Sequence, residues 1–157
     1  MVKPITNPDN VIKLAERLLG ELKIFSSKIE LVGSIRRGLP PKDIDIICIP
    51  INKEDIYSYM EKNGKIRISG EKIVSSVINE IQVDLIFATE ENWGAMELTY
   101  TGSSGYNIGL RSFAKIKGML LNQYGIYHRE SGQLLASKSE IDIYNVLGKE
   151  YKEPEMR

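Results

Sequence analysis

The chain has 157 residues, of which 42% are hydrophobic and 27% charged, and its acidic and basic side chains are equal in number. No apolar run approaches the roughly 20 residues of a membrane helix, and the zero net charge argues against a conspicuously basic nucleic-acid binder. The amino-terminal residues do not resemble a secretory signal and the single Cys48 cannot form an internal disulfide. We therefore expect an intracellular protein that is not secreted.

The first half of the sequence alternates helical and strand-forming patterns. Asn7-Pro8-Asp9 can cap an amphipathic helix whose apolar residues recur at helical spacing as far as Leu19, and we expect Gly20 or a residue shortly after it to end that helix. The segments that follow are predicted as strands at 28–32 and 43–49, which we expect to pair, a short helix at 55–61, and strands at 65–69, 72–78 and 81–88. This order predicts an α+β fold with a mixed or antiparallel sheet.

The pattern changes at residues 88–93, which form a candidate hinge to a smaller mixed unit. Thr89 can cap a helix that reaches Leu98, and the segment Thr101-Gly102-Ser103 would end it. The remaining elements are predicted as a helix from Ser104 or Gly105 to about Lys117, a short hairpin formed by 119–127 and 134–135, and a last helix capped by Ser139 and ended by Leu147-Gly148.

Two carboxylates, Asp43 and Asp45, alternate along the strand predicted at 43–49, so their side chains face the same side. Like charges in that position repel each other unless a cation lies between them. Asp84 alternates with apolar residues on the strand at 81–88 and is a third candidate ligand. Carboxylate oxygens without a His or Cys cluster suit Mg²⁺ or Mn²⁺ better than Zn²⁺. An Asp-x-Asp pair alone is a weak signal, because such a pair more often lines the solvated face of an edge strand.

The turn that precedes this strand has the composition of a phosphate-binding turn. Gly33-Ser34 follows an apolar strand, and a glycine lets backbone N–H groups approach an anion while the serine hydroxyl adds a donor. Arg36 and Arg37 follow closely and could contact phosphate oxygens in bidentate fashion. The sequence thus predicts a phosphate site beside a metal site.

Taken together, the Gly-Ser turn, the Asp-x-Asp pair and the later strand aspartate resemble the nucleotidyltransferase superfamily built on the polymerase beta catalytic fold. The resemblance narrows to the family X DNA polymerases, because further motifs follow in family order from about residue 32 to the end of the chain. The matching segments are GSIRRG, VDL at 83–85, TYTGSSGYNIGLRSFAKIKGM from Thr99, LNQYGIY from Leu121 and KSEIDIYNVLGKEYKEPEMR from Lys138.

The resemblance implies a fold of the α+β class in two parts. Residues 1–92 would form a nucleotidyltransferase palm whose mixed or antiparallel sheet is flanked by helices. Residues 93–157 would form a small α+β C-terminal subdomain that contacts the nascent base pair. The chain looks similar to the small two-domain viral members, and we expect no helix-hairpin-helix lyase domain ahead of Val32.

The same resemblance implies a metal and triphosphate site in the first part. Asp43 and Asp45 would bridge two Mg²⁺ ions, which Mn²⁺ could replace, and Asp84 would bind the catalytic ion near the primer 3′-hydroxyl. The triphosphate would be held by Ser34 and Arg37, with Gly33 allowing its close approach.

The second part would contact the nucleotide sugar, the new base pair and DNA. Tyr100 and Gly102 would lie against the incoming sugar, Asn107 at the minor-groove edge of the new base, and Arg111 against the template strand. Further candidates for DNA phosphate contacts, each of which could equally be a solvated surface residue, are Lys115, Lys117 and Arg129. The implied partners are a deoxynucleoside triphosphate and a primer–template or gapped duplex, bound by a monomer.

The implied function is template-directed DNA synthesis that fills short gaps in DNA repair by two-metal-ion nucleotidyl transfer. Two alternatives stay open: a non-polymerase nucleotidyltransferase that modifies a small molecule, protein or RNA end, and a catalytically inactive DNA-binding module. Asn107 and Arg111 favour the polymerase over the first alternative, and the presence of all three acids disfavours the second. Thr99 stands where the family usually has an aromatic ring, which leaves discrimination against ribonucleotides open.

Overall fold

The computed structural model describes residues 7–157, and the chain divides into two compact units at the boundary between Phe87 and Ala88. The sequence analysis placed that division slightly later, after residue 92. Each unit buries a separate hydrophobic core. Within the described residues no helix combines the length and apolar character needed to cross a membrane.

The first unit is built from three helices, one 3₁₀ turn and five strands. Its elements are α1 (Pro8–Leu22), the 3₁₀ turn (Lys23–Phe25), β1 (Ser26–Leu31), α2 (Gly33–Arg36), β2 (Ile44–Pro50), α3 (Lys53–Asn63), β3 (Lys65–Ser69), β4 (Ile73–Ile78) and β5 (Ile81–Phe87). The Asn7 side chain caps α1 by accepting the N–H of Asp9 at 2.8 Å, as predicted. Helix α1 ends at Leu22, shortly after Gly20 as predicted, and fully buried Leu22 extends its apolar face.

The five strands form one sheet in the order β1-β2-β5-β4-β3. The β2–β5 pair is parallel and the other three pairs are antiparallel, so the sheet is mixed and the predicted β1–β2 pairing is confirmed. Helices α1 and α3 pack on the face that carries alternate apolar residues of β2 and β5, among them Ile44, Ile46, Val83 and Leu85. Because side chains alternate along a strand, the intervening residues point to the opposite face.

The second unit contains three helices, three strands and a 3₁₀ turn. Its elements are α4 (Trp93–Thr101), α5 (Ser104–Ile116), β6 (Met119–Asn122), β7 (Gly125–His128), β8 (Leu134–Ala136), α6 (Glu140–Leu147) and the 3₁₀ turn (Pro154–Met156). The predicted helix start at Thr89 is wrong. Thr89 and Asn92 instead close a turn, in which each side-chain oxygen accepts the backbone N–H of the other residue, and α4 begins after Asn92.

The predicted two-stranded hairpin is a three-stranded antiparallel sheet in the order β6-β7-β8. Residues 119–127 do not form one strand because Asn122 starts a tight turn, in which its Oδ1 accepts the N–H groups of Tyr124 at 2.8 Å and Gly125 at 3.2 Å. The last helix is as predicted: Ser139 caps α6 through the N–H of Asp142, and Gly148 ends it in the left-handed conformation at φ +70°.

Candidate functional site

The register of the first sheet brings two of the predicted acids together. Asp45 in β2 lies directly opposite Asp84 in β5, and Ser75 in β4 lies directly opposite Asp84 on its other side. Residues paired across neighbouring strands point to the same face, so these three side chains form a row across the sheet. Asp43 is exposed and stands one residue before β2 begins, although the sequence analysis placed it within the strand.

The electrostatics of Asp45 link four of the predicted residues. The pKa of this carboxyl is raised from 3.8 to about 6, mainly by partial burial and then by the negative charges of Asp84 and Asp43. The guanidinium of Arg37 opposes this increase. Two neighbouring carboxylates therefore repel the carboxylate of Asp45, and a cation close to it would stabilise its charged form.

The carboxylate of Asp84 is held by neutral donors. The Ser75 hydroxyl donates a short hydrogen bond to its Oδ1, and the Gln82 amide lies 3.3 Å from each of its oxygens. Among residues 7–157 no three His, Cys, Asp or Glu side chains already stand in an arrangement that could hold a metal ion. The predicted ligand set thus stays a prediction, supported by charge and strand register.

The Gly33-Ser34 turn lies directly beside Asp45. Gly33 has φ +64°, and a Cβ atom at this position would overlap the Asp45 carboxylate, so glycine is required both by backbone conformation and by space. The N–H of Val32 donates to the carbonyl of Asp45 at 2.8 Å, which fixes the turn beside the start of β2. Instead of an open turn, residues 33–36 form the single-turn helix α2.

The two arginines after this turn have different surroundings. Arg36 forms an ion pair with Glu30 at 3.1 Å, with most of both side chains shielded from solvent. Arg37 instead acts electrostatically on Asp45. Both arginines thus interact with acidic side chains, and the phosphate contact expected of Arg37 stays a prediction.

In the second unit, the predicted nucleotide contacts cluster where α4 meets α5. Tyr100 is half-buried near the end of α4, and Gly102, at φ +72°, connects the two helices. Ser103 caps α5 by accepting the N–H of Tyr106. The amide of Asn107 donates to the carbonyl of Thr99 at 2.8 Å and thereby holds the first turn of α5 against α4.

The predicted DNA contacts fall into two groups. Arg111 and Lys115 are exposed one turn apart on α5, and Arg129 is exposed just after β7. Lys117 has structural partners: its ammonium donates to the carbonyl of Leu147 at 2.9 Å, where α6 ends, and lies 4.9 Å from the centre of the Phe113 ring. A cation near the end of a helix stabilises it, which favours a structural role for Lys117.

Sequence reasoning missed several polar contacts beside these residues. Gln82 precedes Asp84 by two positions on one strand, so side-chain alternation alone could have identified it. Ser75 could not have been found without the β4–β5 register.

Comparison with known proteins gave consistent matches. Residues 97–157 match the family model described as DNA polymerase beta thumb. The chain is 30% identical over 157 residues to Repair DNA polymerase X of African swine fever virus (isolate Warthog/Namibia/Wart80/1980), covering 92% of this chain and 90% of the viral protein. It is 28% identical to DNA polymerase/3′-5′ exonuclease PolX of Bacillus subtilis (strain 168), covering 93% of this chain.

The coverage of these relatives differs widely. The chain spans 27% of the length of the Bacillus protein, whereas it spans nearly all of the viral one. A third relative, the human DNA-directed DNA/RNA polymerase mu, is 37% identical over 78 residues, which is 49% of this chain and 16% of the human protein.

Proposed function

Because this chain belongs to the family X DNA polymerases, we propose that it adds deoxynucleotides to a primer 3′ end on a DNA template and fills short gaps in DNA repair. The observation that carries this proposal is the direct pairing of Asp45 with Asp84, next to the Gly33-Ser34 turn and Arg37. Acidic side chains beside a basic, glycine-containing turn suit a triphosphate bound through divalent cations.

The three proposed ligands fit a divalent cation in their chemistry. Asp43, Asp45 and Asp84 offer hard oxygen donors. The pKa of Asp45 is raised first by burial and then by the charges of Asp84 and Asp43, and a cation would offset those charges. We propose that these three side chains hold Mg²⁺ as two ions, with Mn²⁺ as a substitute. When bound, such ions lower the pKa of the attacking hydroxyl and neutralise the departing pyrophosphate.

The protein's own side chains would bind and orient the substrates. Arg37 would pair with triphosphate oxygens and the Ser34 hydroxyl would donate to them, while Gly33 keeps the turn close to Asp45. In the second unit, Tyr100 and Gly102 would lie along the sugar, and the amide of Asn107 would contact the new base pair.

DNA binding would rest on a few exposed cations. We propose Arg111, Lys115 and Arg129 as phosphate contacts, with Arg111 directed to the template strand. Three of the 21 acidic residues are the proposed metal ligands, so basic side chains outnumber acidic ones on the rest of the chain. Binding should therefore be modest and should weaken steeply as salt rises, because each neutralised phosphate releases counterions. We further propose that the protein acts as a monomer inside the cell, where its substrates are found.

A single-nucleotide gap assay tests the proposal directly. The purified chain is incubated with a gapped duplex, Mg²⁺ and each deoxynucleotide in turn, and incorporation of only the complementary nucleotide is expected. Asp84→Asn should abolish incorporation. DNA binding should stay within about twofold of the unmodified chain, because Asp84 is not expected to contact a DNA phosphate, and only the loss of such a contact would change the salt slope by about one.

Two results would contradict the proposal. One is the absence of template-dependent incorporation by a folded chain with all three acids intact. The other is nucleotide transfer to an acceptor free of DNA, which would support the non-polymerase alternative.

A further inference from the structure

The second unit contains a fully shielded ion pair between Glu140, at the start of α6, and Arg157. Their side chains are 4% and 0% exposed. Arg157 donates from Nη1 to Oε2 of Glu140 at 2.7 Å and from Nη2 to Oε1 at 3.3 Å, while its Nε donates to the carbonyl of Lys152 at 2.9 Å. All three guanidinium nitrogens are therefore engaged in directed bonds.

Stability alone does not account for such a pair. Removing two charges from water costs several kcal/mol, and apolar residues of the same volume often stabilise a fold as well or better. What an arginine fork adds is direction, because a planar guanidinium bonded on two sides has one orientation. The pair is thus suited to fixing the groups that surround it.

Two tyrosines surround the guanidinium of Arg157. Its centre lies 5.2 Å from the ring of Tyr151 and 5.7 Å from the ring of Tyr144, and the two rings meet edge to face. Tyr151 also donates to Oε1 of Glu140, at 3.4 Å. Tyr144 is 1% exposed, so its ring has one position.

Tyr144 connects this group of side chains to α5. Its hydroxyl is hydrogen bonded to the hydroxyl of Tyr106 at 2.5 Å, and the Nζ of Lys152 lies 5.7 Å from the centre of the Tyr106 ring. Burial, followed by the bond to Tyr106, raises the pKa of Tyr144. The Tyr144 hydroxyl therefore remains neutral at physiological pH.

Tyr106 stands in the first turn of α5, immediately before Asn107. That turn is also held by the Ser103 cap and by the bond from Asn107 to the carbonyl of Thr99. The contact with Tyr144 adds a third point of attachment, from α6. A shift of Tyr106 would move the backbone of Asn107, and with it the amide proposed to contact the new base pair. A misplacement of about 1 Å can reduce a reaction rate about a hundredfold.

We propose that Glu140, Arg157, Tyr144 and Tyr106 form a positioning network that fixes the first turn of α5 for recognition of the incoming deoxynucleotide. This proposal rests on the proposed polymerase function. We assign none of the four residues a contact with the nucleotide. They act through the position of Asn107 and its neighbours at the α4–α5 corner.

The test removes the connecting hydroxyls without changing the packing. Tyr106→Phe, Tyr144→Phe and the double variant are compared in single-nucleotide gap filling, with KM and kcat measured for the complementary nucleotide and for one mismatch. Each single variant should raise the KM for the complementary nucleotide about three- to tenfold, the equivalent of one hydrogen bond, and reduce discrimination against the mismatch. The kcat should change by less than about twofold.

The double variant distinguishes a network from two separate defects. If both hydroxyls act through their mutual contact, the double variant should show the same KM as either single variant. Arg157→Lys, which keeps the charge but loses the fork, should shift KM in the same direction. It serves as the second variant should a tyrosine substitution prevent folding.

Tyr57→Phe is the matched control, because it removes a hydroxyl that donates to the carbonyl of Gly70 at 2.7 Å in the first unit. It should lower the melting temperature as much as Tyr106→Phe does, yet leave KM unchanged. Two results would overturn the network, provided that the unmodified chain is active. One is that neither tyrosine variant changes the KM of the unmodified chain, and the other is that the two effects on KM are additive in the double variant. An unmodified chain that makes no product would instead reject the proposed polymerase function.

Discussion

Asp45 in β2 and Asp84 in β5 are direct cross-strand neighbours on the same face of the first sheet, although they are far apart in sequence. Partial burial, together with repulsion from Asp84 and Asp43, raises the pKa of Asp45 to about 6. The fold therefore holds a charge arrangement that is unfavourable without a cation. Such an arrangement is typical of a site whose side chains are kept for binding, at a cost in stability.

Asp45→Asn should therefore stabilise the metal-free protein while abolishing nucleotide incorporation. At neutral pH the ionised Asp45 is disfavoured in the fold relative to the unfolded chain, so a neutral amide should raise the free energy of unfolding by about 1–2 kcal/mol after allowance for solvent screening. Urea unfolding with EDTA measures the change. The control is Asp142→Asn, in the first turn of α6, which should not raise the free energy of unfolding. An Asp45→Asn variant that is less stable than the unmodified chain would contradict the predicted repulsion.

Gly33→Ala should impair both stability and activity. Its backbone is left-handed, which costs a residue with a Cβ about 1–2 kcal/mol, and the added methyl would also displace the Asp45 carboxylate. Incorporation should fall by about a hundredfold, the cost of a misplacement of about 1 Å.

Gly132→Ala separates the two contributions to the Gly33 effect. Gly132 has a similar φ of +72°, but no heavy atom lies within 4 Å of a Cβ placed there. This control should show the backbone cost alone and normal incorporation. Equal losses of stability and of incorporation in the two variants would show that the close approach of Gly33 to Asp45 is unimportant.

Substitutions of Lys117 and Arg111 should have different effects on stability and on DNA binding. Lys117→Met removes the cation at the end of α6 and should reduce the free energy of unfolding by about 1 kcal/mol, with little change in DNA affinity. Arg111→Met should leave stability unchanged and reduce the slope of log affinity against log salt by about one. Fluorescence anisotropy at several salt concentrations measures both slopes. A lower slope for Lys117→Met would identify Lys117 as a phosphate contact after all.

Cys48 should be unreactive in the folded protein. Burial raises the pKa of its thiol from 9.0 to about 12, so almost no thiolate is present at pH 8. Because the unfolded chain releases this proton first, the thiol's contribution to stability should decline as pH rises above about 9. Labelling with a disulfide reagent at pH 8 should be slow without urea and fast with it. Rapid labelling of the folded chain would contradict the burial of this residue.

The sequence predicted those features that depend on neighbouring residues. The caps at Asn7 and Ser139 form as expected, because each side chain bonds to a backbone N–H two or three residues away. The strand bounds at 65–69 are as predicted, since alternation and turn residues are local signals. The predicted cap at Thr89 is wrong because Thr89 forms a turn with Asn92, which precedes the first residue of α4.

The tertiary structure alone decided which residues became partners. Alternation shows which face of a strand Asp84 occupies, but the parallel pairing of β2 with β5 sets it opposite Asp45. Likewise, the sequence alone indicated Lys117 only as one of several candidate DNA phosphate contacts. Its bond to a backbone carbonyl depends on the position of α6 in the folded chain. The physical reason is range: caps and turns form within a few residues, whereas register and buried ion pairs are fixed only when distant segments share a core.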